Sequence, residues 1–385
     1  MTDLSSQLDW ISRLVAYDTT SSKSNLALID DVEAYLKSFG AKTFRVPSDD
    51  GMKTNLYAAI GPLSEGGVVL SGHTDVVPVE GQAWDTDPYK VTEKNGLLYG
   101  RGTCDMKSFS AIALSLVPEM IAAELKRPII FALSYDEEIG LFGAPRMIAE
   151  IATKMPPPSA VIVGEPTMMQ VIDGHKGIAS FRTTVTGYTT HSSLADTGVS
   201  AVEAAAKLIA KLSSMRAARK AAADPDSPFT PPYTTMTVNV VNGGTQLNIM
   251  AGECWFNWDC RAVPGDSAGA ARAEFDAYAR EVEAEMQSKW PGCKVETAQI
   301  TNAPPLSPQA DNPAADLAKA LTGQNSTGVV SYAAEAGQFQ EAGFSTVVCG
   351  PGSIEQAHQP NEFISVAQVG ECATFLRKLI ARMAA

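Results

Sequence analysis

The stretch Val68-Val69-Leu70-Ser71-Gly72-His73-Thr74-Asp75 runs an apolar strand into a histidine and an aspartate two residues apart. A strand buried on both faces of an α/β sheet reads as an uninterrupted apolar run, and ligands gather outside the carboxyl ends of such strands. His73 is therefore expected at a sheet edge, facing the same way as Asp75 because side chains alternate along extended chain. An imidazole facing an open crevice is a good metal ligand, and a carboxylate on its other ring nitrogen would fix the tautomer and raise basicity. A lone His-x-Asp equally fits a hydrogen-bonded surface histidine, so the rest of the chain has to decide.

The pattern recurs along the chain. Leu97-Leu98-Tyr99 crosses through Gly100-Arg101-Gly102-Thr103-Cys104-Asp105-Met106-Lys107 into an apolar helix over about 109–119, which puts Asp105 at a strand-to-helix turn. An N-cap role would suffice to explain it there. Pro128-Ile129-Ile130-Phe131-Ala132-Leu133-Ser134 ends at Asp136-Glu137-Glu138, acids that would also suit the positive end of a following helix. Ala160-Val161-Ile162-Val163 leads into Gly164-Glu165-Pro166-Thr167, and Thr346-Val347-Val348-Cys349 leads into the glycine-rich loop that carries His358. Helical stretches over 4–15 and 27–39 alternate with these strands, which predicts right-handed crossovers and an α/β fold, a mainly parallel sheet flanked by helices.

After Gly177 the rhythm changes. Residues 178–187 alternate like a half-exposed strand, 201–215 read as a helix, and a proline-rich break follows over 224–232. Thr234–Val241, Leu247–Ile249 and Glu253–Arg261 read as antiparallel strands, with a long helix over 268–290. This order resembles a ferredoxin-like α+β domain inserted into the first. Pro304, Pro305 and Pro308 mark the return to the parent sheet. The expected division is residues 1–177, an insert of 178–299, and 300–385.

With 385 residues the chain exceeds the size at which one core keeps growing. A formal charge of −13 argues against nucleic-acid or anionic-membrane partners, which need clustered Lys and Arg. Cys104, Cys254, Cys260, Cys293, Cys349 and Cys372 form no Cys-x-x-Cys pair and no disulfide-scaffold density, so reduced thiols are expected. No basic N-terminal segment precedes an apolar run, and no apolar stretch would span a bilayer, which predicts a cytoplasmic location.

His73, Asp105, Glu138, Glu165 and His358 offer the mixed nitrogen and oxygen set suited to zinc or a similar divalent ion. If Asp105 bridges two ions, each receives one histidine, one glutamate and an aspartate oxygen, leaving open positions for water. Glu137 is then left without a metal beside a ligand, where it could take a proton from water and pass it to a leaving amine.

Ser71-Gly72-His73-Thr74-Asp75, Gly100 to Lys107, Asp136-Glu137-Glu138 and Gly164-Glu165-Pro166-Thr167 together resemble the M20 metallopeptidases, in matching order over nearly the whole chain. The resemblance implies a two-zinc peptidase-like site, with His73, Asp105 and Glu165 on one ion and His358, Asp105 and Glu138 on the other; cobalt and manganese could occupy the same ligands. It also implies that Asp75 orients a ligand, that Glu137 is the general base, and that the peptide after Asp105 is cis. Glu335-Ala336-Gly337 and the segment from Gly350 to Glu362 are most similar to the acetylornithine deacetylases within that family. The resemblance further implies that His191 donates to the tetrahedral oxyanion, and that Arg261 and Asn248 hold the substrate α-carboxylate. His191 equally fits a surface histidine capping the next helix, and Arg261 an ordinary ion pair. The expected substrate is a small N-acyl amino acid, the inserted domain is expected to act in closure and dimerisation, and a homodimer is expected. Glu335 is expected to meet the ammonium of an ornithine side chain, on charge and its position near the metal loop. His175 receives no role.

Overall fold

The computed structural model describes residues 4–385. Helices α1 (Ser5–Val15) and α2 (Leu26–Ser38) precede strands β1 (Lys42–Pro47), β2 (Thr54–Ile60) and β3 (Val68–His73). The short strands β4 (Thr92–Lys94) and β5 (Leu97–Tyr99) lead into α3 (Lys107–Ser115) and α4 (Val117–Ala122), followed by β6 (Ile129–Ser134), α5 (Ala144–Lys154), β7 (Ala160–Pro166) and β8 (Ile172–His175). Then come β9 (Gly177–Thr186), α6 (Ala201–Ala221), β10 (Thr235–Gly243), β11 (Glu253–Ala262), α7 (Ala268–Lys289) and β12 (Lys294–Ala303). The chain ends with α8 (Pro313–Thr322), β13 (Gly328–Val330), α9 (Ala336–Glu341), β14 (Thr346–Gly350), β15 (Phe363–Ser365) and α10 (Val366–Ala384).

Two compact units result: Met1–Gly174 with Pro308–Val329 and Ala334–Ala385, and His175–Ser307 with Val330–Ala333. The insert runs past the expected residue 299 because β12 stays paired with β9 as far as Ala303, opposite Ile178, and Leu306 bridges to His175.

In the first unit eight strands follow the order β1-β2-β6-β3-β7-β14-β8-β13. The centre is parallel: β3 pairs in parallel with β6 and β7, and β14 with β7, whereas β1, β2 and β8 join antiparallel. Strands β2, β3, β6, β7 and β14 are buried along their whole length, as their continuous apolar runs predict. The four parallel strands deliver their carboxyl ends to one edge, so the segments after β3, β6, β7 and β14 meet there.

Helix α3 is buried at every position, its Phe109, Ile112 and Leu114 belonging to the core. Each such side chain contributes about 1.5–3 kcal/mol on burial. The apolar run expected to continue to residue 119 breaks at Leu116, and Pro118 lies in the first turn of α4, where its missing N–H costs no helix bond. The Phe109 ring rests where a side chain on Gly164 would begin, 2.0 Å from the ideal Cβ position, so only glycine lets α3 lie this close to β7.

The second unit is a four-stranded antiparallel sheet in the order β10-β11-β9-β12, with α6 and α7 packed on one face over Phe181, Phe256 and Trp258, the last two meeting Phe275 of α7. Strands β9 and β11 alternate buried and partly exposed residues, the pattern of a sheet covered on one side. Leu247–Ile249 corrects the sequence expectation: the segment is a turn with a single bridge from Ile249 to His191, and Leu247 is fully exposed. Two apolar residues flanking Asn248, shortly after Gly243 and Gly244, are too short a run to separate strand from turn. Among the described residues no helix is long and apolar enough to cross a membrane, and all six cysteines are unpaired and buried.

Candidate metal centre

His73 closes β3 and is 1 % exposed. Its Nδ1 lies 2.8 Å from the main-chain carbonyl of Asp75, which can only accept, so Nδ1 carries the proton and Nε2 is the nitrogen turned to the cluster. Asp75 therefore orients the ring through its backbone; its carboxylate stands 3.7 Å from Nδ1 and is used elsewhere. That carboxylate accepts from the Ser21 hydroxyl at 2.7 Å and from the N–H groups of Glu137 at 3.2 Å and Glu138 at 3.3 Å. One buried acid thus sets both the imidazole and the acidic loop after β6.

Asp105 does not cap α3; Met106 occupies that position, and the Asp105–Met106 peptide is cis. The Asp105 carboxylate instead lies between two imidazoles, Oδ1 at 3.0 Å from His73 Nε2 and Oδ2 at 3.2 Å from His358 Nε2. Glu165, at the end of β7, places Oε1 3.7 Å from His73 Nε2, and Glu138 places Oε2 2.9 Å from His358 Nε2. These contacts sort the donors into His73 with Glu165 and His358 with Glu138, sharing Asp105. A purely spatial grouping also puts three ligand atoms within 4.8 Å of one another in His73–Asp105–Glu138 and in His73–Glu137–Glu165. The donors of both groups are shared because the whole cluster is small.

Its electrostatics are those of a site short of positive charge. Burial and the charges of Glu165 and Glu138 push Glu137 well above the usual carboxylate range against the pull of His73. Burial and Asp105 do the same to Glu165, and push Glu138 up to about 7. Burial opposes ionisation of Asp105 too, but hydrogen bonds from His358 and His73 hold it below the usual range. Hydrogen bonds to Asp105 and Glu138 lift His358 to about 10. Glu138 Oε1 is buried with no hydrogen-bond partner, an oxygen that a cation would satisfy. Two imidazoles, a carboxylate between them and surplus buried acids fit a pair of divalent ions in donor type and in charge.

Metal and protons compete for these groups, which sets a pH dependence. In metal-free protein a base raised from 6.5 to about 10, as His358 is, stabilises the fold fully below 6.5, and that contribution is lost as pH rises through about 10. Glu138, raised from 4.5 to about 7, acts in the same direction, losing its contribution as pH rises through about 7. Lys107, buried and lowered from 10.5 to about 7, acts oppositely but is common to both forms. The gap in thermal midpoint between zinc-loaded and chelator-treated protein should therefore widen from about pH 6 to about pH 9. A constant or narrowing gap in thermal scans would count against this ligand set.

His191, Asn248 and Arg261 belong to the second unit. In the second unit, His191 is exposed and its Nδ1 accepts from the Ser193 N–H at 3.2 Å, capping the short 3₁₀ turn that follows. The capping role is thus real, and it leaves Nε2 as the protonated nitrogen of the neutral ring. Asn248 sits beside it, its carbonyl accepting from the Ser192 N–H at 3.0 Å. Arg261 on β11 makes the ordinary ion pair, Nε to Asp259 Oδ2 at 3.2 Å. Glu335 departs from expectation: it is 1 % exposed, and its oxygens accept from Ser71 at 3.2 Å and from Ser134. The carboxylate ties β3 to β6 just before their loops. Sequence reasoning passed over Arg101 and Glu362, which form a buried ion pair at 2.6 Å. Both stood inside the quoted motifs, and a charged residue in each of two glycine-containing loops that also carry a metal-ligand candidate was the available signal.

The family model for peptidase family M20/M25/M40 matches residues 69–382, a span that includes every member of this cluster. The chain belongs to that family. It is 34 % identical over 380 residues to the acetylornithine deacetylase of Proteus mirabilis, covering 98 % of this chain and 95 % of the relative. To the acetylornithine deacetylase of Myxococcus xanthus it is 33 % identical over 376 residues, covering 96 % of each. Among solved structures it resembles an M20 family metallo-carboxypeptidase from Sulfolobus solfataricus, with a TM-score of 0.77 at 18 % identity, covering 98 % of this chain and 99 % of that one. This M20 chain is thus a member of a hydrolase family with a metal-fitting cluster at the carboxyl edge of its parallel strands.

Proposed function

We propose that this M20 protein is a cytoplasmic two-metal amidohydrolase that removes the acetyl group of N2-acetyl-L-ornithine, releasing acetate and L-ornithine for arginine biosynthesis. The observation that carries the hydrolytic reading is Asp105 set between His73 and His358 with Glu137 buried beside them. The acetylornithine deacetylases, similar over almost the full length, support the substrate. His73, Asp105 and Glu165 would hold one ion, and His358, Asp105 and Glu138 the other, zinc being the first choice for this donor set. When bound, such ions polarise the amide carbonyl and lower the pKa of attacking water.

The protein's own groups do the rest. The Glu137 carboxylate takes a proton from the attacking water as the new C–O bond forms, and delivers it to the amide nitrogen as the C–N bond breaks. Asp75 fixes that residue through its main-chain N–H, so the base needs no reorganisation. His191 donates a hydrogen bond from its Nε2–H to the developing oxyanion, and Arg261 with Asn248 takes the α-carboxylate.

Initial rates of amine release by zinc- or cobalt-loaded protein test the substrate, with N2-acetyl-L-ornithine, N-acetyl-L-methionine and N-succinyl-LL-diaminopimelate compared. Acetylornithine should have the highest kcat/KM by about tenfold or more. If another of the three leads, the substrate assignment falls and the amidohydrolase reading stands.

A further inference from the structure

Glu362 follows His358 by four residues and is 1 % exposed. Its Oε1 accepts three main-chain N–H groups, from Gly102 at 3.1 Å, Cys104 at 2.8 Å and Asp105 at 3.0 Å. Its Oε2 receives Arg101 Nη1 at 2.6 Å, and Arg101 is also 1 % exposed. The guanidinium continues the chain of bonds: Nη2 donates to Gln82 Oε1 at 2.6 Å, and Gln82 Nε2 donates to the His358 carbonyl at 2.9 Å. Arg101 also lies over the Trp84 ring, 5.2 Å from its centroid.

This network touches none of the cluster's side-chain donor atoms, yet it joins the two loops that supply Asp105 and His358. The two halves of the cluster differ in how they are held. His73 and Glu165 end buried strands, whereas the His358 side chain is half exposed on a residue with φ of +62°. A rigid strand holds its ligand without help; a loop ligand depends on what braces it.

We infer that Glu362, braced by Arg101 and Gln82, is a positioning residue that sets Asp105 against His358 and so builds the second of the two ion sites. The inference rests on the two-ion reading above. It predicts an asymmetry: loosening the brace weakens the ion held by His358 and Glu138 more than the ion held by His73 and Glu165, which shares Asp105 but keeps two ligands on buried strands. A glutamine at 362 keeps one accepting oxygen for the main-chain N–H groups but turns an NH₂ toward the Arg101 guanidinium, donor against donor.

Zinc titrations followed by calorimetry, with the absorption spectrum of cobalt-loaded protein as a second readout, test this on the full chain. Wild type should bind two ions. Glu362→Gln should weaken one of them about 10–100-fold and leave the other within about threefold. Equal weakening of both ions, or two ions bound as in wild type, would overturn the inference while leaving the two-ion reading intact. Fewer than two ions on wild type would overturn that reading and this inference with it. Should Glu362→Gln fail to fold, Gln82→Ala decides: it cuts the exposed link to His358 without leaving a buried charge, and unchanged affinity for the weaker ion would overturn the proposal.

Discussion

Glu137→Gln should lower kcat by about 10²–10⁴-fold with little change in KM and with bound metal retained. The substitution is close to isosteric and leaves the main-chain N–H of residue 137 on Asp75, so the loop keeps its place. What it removes is the capacity to carry a proton. Burial and the neighbouring acids raise the affinity of Glu137 for a proton, the property required of a group that takes one from water and gives it to an amine. Steady-state kinetics with metal analysis of the same samples decide the matter. A variant with both ions bound and kcat within about threefold of wild type would remove Glu137 from the mechanism.

Asp105→Ala should lose both ions and, with them, activity by more than about 10³-fold, since each of the two imidazoles loses the acid beside it. Asp105 is the acid that both His73 and His358 contact, so its removal reaches both halves of the cluster, unlike a change at Glu138 or Glu165. Added zinc should then raise the thermal midpoint far less than in wild type, because stabilisation by a ligand scales with its occupancy of the folded state. Elemental analysis after dialysis checks the first part and thermal scans the second. Retention of both ions, or kcat within about tenfold of wild type, would show that the shared-aspartate arrangement does not hold the metal.

The chemistry at the strand ends was legible before any coordinates because two independent patterns coincide there. Continuous apolar runs announce strands buried on both faces, and a polar, titratable residue directly after such a run has few places to go except the open edge of the sheet. His73, Glu137, Glu138 and Glu165 were found in this way, and the loop of His358 by the strand before it. The order of elements in the inserted unit was legible from the change of period, from continuous runs to alternation. Less legible were features with no period at all. The turn at Leu247–Ile249 has strand-like composition, and the break at Leu116 depends on one proline that a helix start tolerates as readily as a helix interior rejects it.

By itself the sequence determined which acids and histidines would gather at one sheet edge, because strand burial and chain direction are local properties written in the order of residues. Only the tertiary structure decided which acid serves which neighbour. Asp75 holds the Glu137 loop with its carboxylate and His73 with its backbone; Glu335, charged like any substrate-binding acid, is sealed between Ser71 and Ser134; and Glu362, 257 residues from Asp105, accepts its N–H. Hydrogen bonds of 3 Å reach and burial of single oxygens depend on how distant segments pack, and no spacing along the chain encodes that distance.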